Sequence, residues 1–174
     1  MKRFFLSAFS LIAFSPAVFA DEPLLYYGKT SDPMTDVPQV NIALDSIKQS
    51  YTSIGTKEYV SMGIICGNPD PTSPDQVALV IKTPTVIGGE TSRVGLRFDG
   101  GTPRYESWYV IKRGTGVQPF SDVRSNFISD LKKHKKLVFQ WQAYNNGQPS
   151  TTVFDLTKLH PLLKRGEADG CDFP

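Results

Sequence analysis

The chain has 174 residues, with 19 Lys and Arg against 17 Asp and Glu, two Cys and two His. Lys2 and Arg3 open a segment that reads as an export signal, and without them the count is 17 against 17, a balance with no global field to attract nucleic acid or an anionic membrane. Two histidines and two cysteines also supply few bases, nucleophiles or metal ligands, which argues against a His-activated nucleophile and a four-ligand zinc set.

In chain order, the apolar run from Phe4 to Phe14 closes at Val18-Phe19-Ala20, and Asp21-Glu22-Pro23 begins a polar stretch. The pattern predicts a cleaved signal peptide over 1–20. A membrane-spanning helix needs roughly 20 apolar residues, more than this run supplies, and no later segment replaces it. The protein is therefore expected to be periplasmic or secreted, with no transmembrane segment after cleavage. The remaining chain, 21–174, is long enough to bury roughly 70% of its unfolded surface in one domain.

Leu24 to Asp36 reads as a lead-in segment or edge strand running into a turn. Val40, Ile42 and Leu44 alternate with polar residues, as do Val77, Leu79 and Ile81, and again Val94, Leu96 and Phe98, the pattern of half-buried strands. Tyr59 to Cys66 adds an apolar stretch. Pro69, Pro71 and Pro74 make an irregular connection. Tyr105 to Ile111 is an aromatic, β-branched run containing Trp108.

Ser121 or Asp122 is placed to cap a helix through Val123, Phe127 and Leu131, with Lys132, Lys133, Lys135 and Lys136 at its negative dipole end. Leu137, Phe139 and Trp141 alternate in a further strand, Asn146-Gly147 reads as a hairpin turn, and Thr151 to Phe154 as the returning strand. A short helix is predicted over 157–165, with Pro161 in its first turn. The fold class expected is mainly β, an antiparallel two-layer sandwich with two short helices in the C-terminal half.

Cys66 and Cys171 form an even pair in an exported chain and are expected to be bridged. A closed loop of about 100 residues is worth roughly 4 to 5 kcal/mol in the chain-entropy account. His134, among lysines, and His160, before Pro161, read better as structural residues than as acid-base groups. No Gly-x-Ser-x-Gly elbow or phosphate loop is present. Asp32 and Asp36 flank Pro33-Met34-Thr35, close enough to converge on a cation or a sugar, or to shape a turn. Tyr26, Tyr27, Tyr105, Trp108, Tyr109, Trp141 and Tyr144 are numerous enough to line a binding face as well as a core. No cofactor and no metal are expected.

The run Ser31-Asp32-Pro33-Met34-Thr35-Asp36 before a strand, the strand ending at Cys66, Val94-Gly95-Leu96-Arg97-Phe98-Asp99, Trp108, and Phe154-Asp155-Leu156 before a helix ending near Cys171 together resemble the VasI/TagO family. That family comprises exported proteins associated with type VI secretion. The resemblance covers nearly the whole exported chain and implies a non-enzymatic accessory protein that binds another envelope or type VI secretion component. Cys66 and Cys171 match its paired cysteines, and Asp32, Asp36, Arg97, Asp99 and Trp108 its recurring polar and aromatic positions, the binding candidates carried over. Arg97 and Asp99, two apart, are expected to share a strand face and to bond the Asp32–Asp36 turn. One position departs from the pattern: Ile65 precedes Cys66 where the family often has Arg. The alternative function is a secreted carbohydrate-binding or hydrolytic domain using Asp32, Asp36 and an aromatic face.

Overall fold

The computed structural model describes residues 22–31, 36–52, 55–67, 77–111, 114–144 and 148–174. The expected signal, Asp32, the proline-rich connection at 69–74 and the Asn146-Gly147 turn lie outside them. Eleven strands and two helices occur in the described residues. The strands are β1 (Leu25–Ser31), β2 (Pro38–Asp45), β3 (Ser50–Tyr51), β4 (Lys57–Glu58), β5 (Ser61–Cys66), β6 (Val77–Lys82), β7 (Thr91–Phe98), β8 (Arg104–Val110), β9 (Gly116–Gln118), β10 (Lys136–Gln142) and β11 (Pro149–Asp155). The helices are α1 (Ser121–Lys133) and α2 (His160–Ala168).

The period-two patterns fall on strands whose apolar sides are buried: Val40, Ile42 and Leu44 on β2, Val77, Leu79 and Ile81 on β6, and Leu137, Phe139 and Trp141 on β10. The protein is mainly β and antiparallel, with both helices in its C-terminal half. Its main strands nevertheless form one nine-stranded sheet, in the order β1-β2-β5-β6-β9-β8-β7-β10-β11, in place of the two separate layers expected. The three-residue strand β9 joins the halves by pairing with β6 on one side and β8 on the other. Backbone comes close enough there that a β-carbon on Gly116 would lie 2.4 Å from the Ile81 carbonyl oxygen, so only glycine fits.

The sheet curls around its contents. The Ile47 amide, just past β2, donates to the Val153 carbonyl of β11 at 2.8 Å, and residues from β2, β5, β6, β7, β8, β10 and β11 share one apolar core with both helices. Alternation reports which side of a strand is buried, and a curled single sheet produces the same alternation as a sandwich.

Helix α1 enters the core through Phe127, Ile128 and Leu131. Its N-cap residue is Phe120, with no side-chain cap bond, so neither Ser121 nor Asp122 performs the expected capping. The chain arrives at Phe120 directly from β9, and Ser121 and Asp122 are already inside the first turn. Helix α2 starts at His160, later than expected, because residues 156–159 form a turn in which Asp155 Oδ1 accepts from the Thr157 amide at 3.1 Å. Pro161 sits in its first turn as anticipated.

The Cys66–Cys171 disulfide joins the end of β5 to the segment after α2, with 5.8 Å between the α-carbons. A second tie lies at the edge strand: Asp169, at the end of α2, pairs with Lys29 Nζ at 2.5 Å and accepts from the Tyr27 hydroxyl, while the Arg165 guanidinium lies 4.1 Å from the Tyr27 ring centre. Burial, and then the neighbouring Asp169 carboxylate, push the Tyr27 hydroxyl up to about 12. The hydrogen bonds from Lys29 and Tyr27 hold Asp169 below the ordinary carboxylate range.

Candidate functional site

The outer face of β8, β7, β10 and β11 carries two adjoining hollows. Along β7, Ser92, Val94, Leu96 and Phe98 face inward, which leaves Arg93, Gly95 and Arg97 outward. Register places Tyr105 of β8 directly opposite Gly95 on one side and Gln140 of β10 opposite it on the other, with Thr151 of β11 beyond Gln140. A row Tyr105–Gly95–Gln140–Thr151 therefore crosses four strands with a gap where Gly95 lacks a side chain. A β-carbon there would lie 3.1 Å from Tyr105 Cε1 and 3.2 Å from Gln140 Cβ. Gln140 Oε1 lies 3.2 Å from the same point, so the Tyr105 ring and the Gln140 side chain close over Gly95 and no larger residue fits there without moving them.

Two hollows meet at this row. One, of about 220 Å³, runs from Gly95 past Arg97 to Val138 and Thr151. The other, of about 400 Å³, runs toward Arg93, Gln142 and Pro149, where the β7–β10 ladder has ended beyond the Gly95–Gln140 pair. The Arg93 guanidinium carbon lies over the Tyr105 ring, 4.3 Å from its centre, a cation–π contact. Gln140 Nε2 reaches Thr151 Oγ1 at 3.4 Å, a long bond that holds the amide only loosely. Tyr105 is 54% exposed and Tyr109, on the same face of β8, is 46% exposed. Among the described residues no Asp or Glu lines either hollow, so the surface is cationic and aromatic.

Of the residues singled out in the sequence, Arg97 belongs to this face and is exposed. Asp99 does not. It leaves the strand in a tight turn, with φ 46° at Asp99 and 78° at Gly100, and Gly101 N donates to the Phe98 carbonyl at 2.8 Å. Its carboxylate turns to the junction between α1 and β10. There Oδ1 accepts from the amides of Lys135 at 3.0 Å and Lys136 at 2.8 Å, and Oδ2 accepts from His134 Nδ1 at 3.0 Å. Desolvation opposes ionisation of Asp99, but the bonds from His134, Lys135 and Lys136 outweigh it and lower its pKa. Contrary to expectation, Asp99 does not share the face of Arg97, because the positive-φ turn ends the strand alternation there; residues 32–35 of the expected partner turn lie outside the described residues.

Trp108 is fully buried on β8, packed edge-on against Phe127 at 5.0 Å between ring centres, with its indole N–H donating to Glu106 Oε2 at 2.8 Å. It lies in the core and offers no surface to a partner. Trp141 is likewise buried, its indole N–H bonded to Thr85 Oγ1 at 2.9 Å. Asp36 is exposed, with φ 55°, just before β2, and lines neither of these hollows. Asp32 lies outside the described residues.

Both histidines hold structure together. His160 Nε2 donates to the carbonyls of Leu131 and His134, both at 3.0 Å, satisfying acceptors left open at the end of α1. His134 stacks on Phe98 with 5.0 Å between ring centres while bonding Asp99. Within the lysine cluster, Lys132 pairs with Glu167 at 2.9 Å and donates to the Phe173 carbonyl at 3.0 Å, which draws α1, α2 and the C-terminal segment together. Among the described residues no group of three or more His, Cys, Asp or Glu is placed to hold a metal ion, and no helix is long and apolar enough to cross a membrane.

Arg93, Gln140 and Thr151 carry no recognisable motif. The one local signal is an inward-facing apolar series on β7 whose outward series reads Arg, Gly, Arg, since a glycine inside a strand often marks a place where something approaches closely. No protein-family model and no curated protein matches the chain. Among solved structures it is similar to the crystal structure of invasion associated protein B from Bartonella henselae, with a TM-score of 0.49 and 17% sequence identity, covering 83% of this chain and 96% of that chain.

Proposed function

We propose that this protein is an exported, non-enzymatic accessory protein that binds another envelope or type VI secretion component through the outer face of β8, β7 and β10. The observation that carries the reading is the exposed set of Tyr105, Arg93 and Arg97 around Gly95, with exposed Tyr109 further along β8, since Tyr and Arg are residue types that dominate binding energy at protein interfaces. The Cys66–Cys171 disulfide supports an oxidising compartment, in keeping with the signal-like N-terminus and the resemblance to the VasI/TagO family. The engagement of His134 and His160 in structural bonds supports a binding role over acid-base chemistry.

In-cell crosslinking of the tagged, exported protein, followed by identification of what is captured, tests the proposal. Recovery of secretion-apparatus or envelope proteins is the expected result. A folded, oxidised protein that captures no specific partner would sink it.

A further inference from the structure

We propose that the hollow over Gly95 receives an extended acidic segment of that partner, with two carboxylates four residues apart seated on Arg93 and Arg97 and the side chain midway between them resting on Tyr105 and Gln140 where these close over Gly95. This rests on the accessory-binding reading and specifies the chemistry of its partner.

The geometry of a strand sets the spacing. Arg93, Gly95 and Arg97 point the same way, and four residues of extended chain span about 13 Å. A second extended segment lying along β7 has the same repeat, so its side chains at positions i, i+2 and i+4 meet Arg93, Gly95 and Arg97 in turn. The pattern acid, any residue, apolar residue, any residue, acid reads alike in both directions, so parallel and antiparallel placements are both served.

Charge selects the outer positions. Among the described residues neither hollow is lined by a carboxylate, and Arg97 has no ion pair there. Arg93 is held over the Tyr105 ring, which positions its charge before a ligand arrives and lowers the entropy lost on binding a carboxylate. The middle position is selected by shape. Gly95 gives the floor no side chain, but the Tyr105 ring and Gln140, both its stem and its Oε1, come within 3.1 to 3.2 Å of the β-carbon position, so the middle side chain rests on the exposed Tyr105 ring, which suits an apolar group.

Strand addition is not available at Gly95, because β7 is paired there with β8 on one edge and β10 on the other. Recognition therefore falls to outward side chains, which explains why the discriminating groups are arginines and a tyrosine.

The test uses the oxidised protein without its signal segment. It is titrated with a synthetic peptide centred on Glu-Thr-Leu-Thr-Glu, with the same peptide carrying Gln for both Glu, and with oligogalacturonate as an acidic glycan. The Glu peptide should bind about tenfold or more tightly than the Gln peptide, and less tightly as salt rises. The double variant Arg93→Gln with Arg97→Gln should lose that preference while keeping its near-UV circular dichroism and melting midpoint. Gly95→Val should weaken the Glu peptide by a similar factor by displacing Tyr105 and Gln140, which lie 3.1 and 3.2 Å from the β-carbon position. No peptide binding, equal binding of the Gln peptide, or tighter binding of oligogalacturonate would overturn the proposal. Crosslinking separates it from the broader reading: capture by wild type that persists undiminished in the double arginine variant refutes the acidic-segment site and leaves the accessory role standing, whereas no capture by wild type refutes the role itself.

Discussion

Gly95 and Tyr105 face each other directly across the β7–β8 ladder, and the ring of Tyr105 occupies space that any side chain at position 95 would contest, its Cε1 lying 3.1 Å from the place of a β-carbon. Glycine inside a strand ordinarily weakens it, by roughly 0.5 to 1 kcal/mol relative to alanine. Gly95→Ala should therefore change stability by less than about 1 kcal/mol, the backbone gain being offset by displacement of Tyr105 and Gln140. Urea unfolding measures the change. A loss of several kcal/mol would mean that the gap is needed for packing and is not a surface hollow.

The disulfide spans 105 residues and fastens the segment after α2 to β5. Cys171→Ser, or reduction, should lower stability by up to about 4 to 5 kcal/mol in the chain-entropy account. Comparing urea midpoints with and without reductant gives the value. An unchanged midpoint would remove the bridge from the account of stability.

Trp108 is enclosed between β8, Phe127 and Phe139. Trp108→Ala should cost about 3 to 5 kcal/mol, the range for truncating a large aromatic in a packed core. The measurement is the shift in unfolding free energy. A near-neutral effect would be inconsistent with full burial.

Asp99 has a lowered pKa, so its bonds to His134, Lys135 and Lys136 contribute above the unfolded value of 3.8 and fade as pH falls through the lower folded one. The wild type should lose stability over that acid range more steeply than Asp99→Asn. Melting midpoints of the two proteins from pH 5 down to about 2 reveal the difference. Parallel curves would show that the carboxylate does not couple folding to protonation.

Tyr27 behaves in the opposite sense. Its folded pKa of about 12 lies above the ordinary 10.0, so its contribution is complete below pH 10.0 and is lost as pH rises through about 12. Tyr27→Phe should flatten the alkaline decline in stability across that interval. Urea midpoints of both proteins between pH 9 and about 12 decide it, and identical slopes would exclude Tyr27 as the titrating group.

Amino-acid order alone determined which faces of β2, β6, β7 and β10 are buried, that a helix follows Phe120, and that Cys66 and Cys171 are the available pair, because periodicity and composition are properties of the chain in one dimension. It resolved neither the single curled sheet nor Asp99. The bridging strand β9 is too short to show a period, and a positive φ at Asp99 breaks the alternation that placed it beside Arg97. Only the tertiary structure decided the candidate site. Arg93, Gly95 and Arg97 are neighbours on one strand, but Tyr105 and Gln140 close over Gly95 because the registers of β8 and β10 bring those side chains to it from either side, and register is set by pairing between strands.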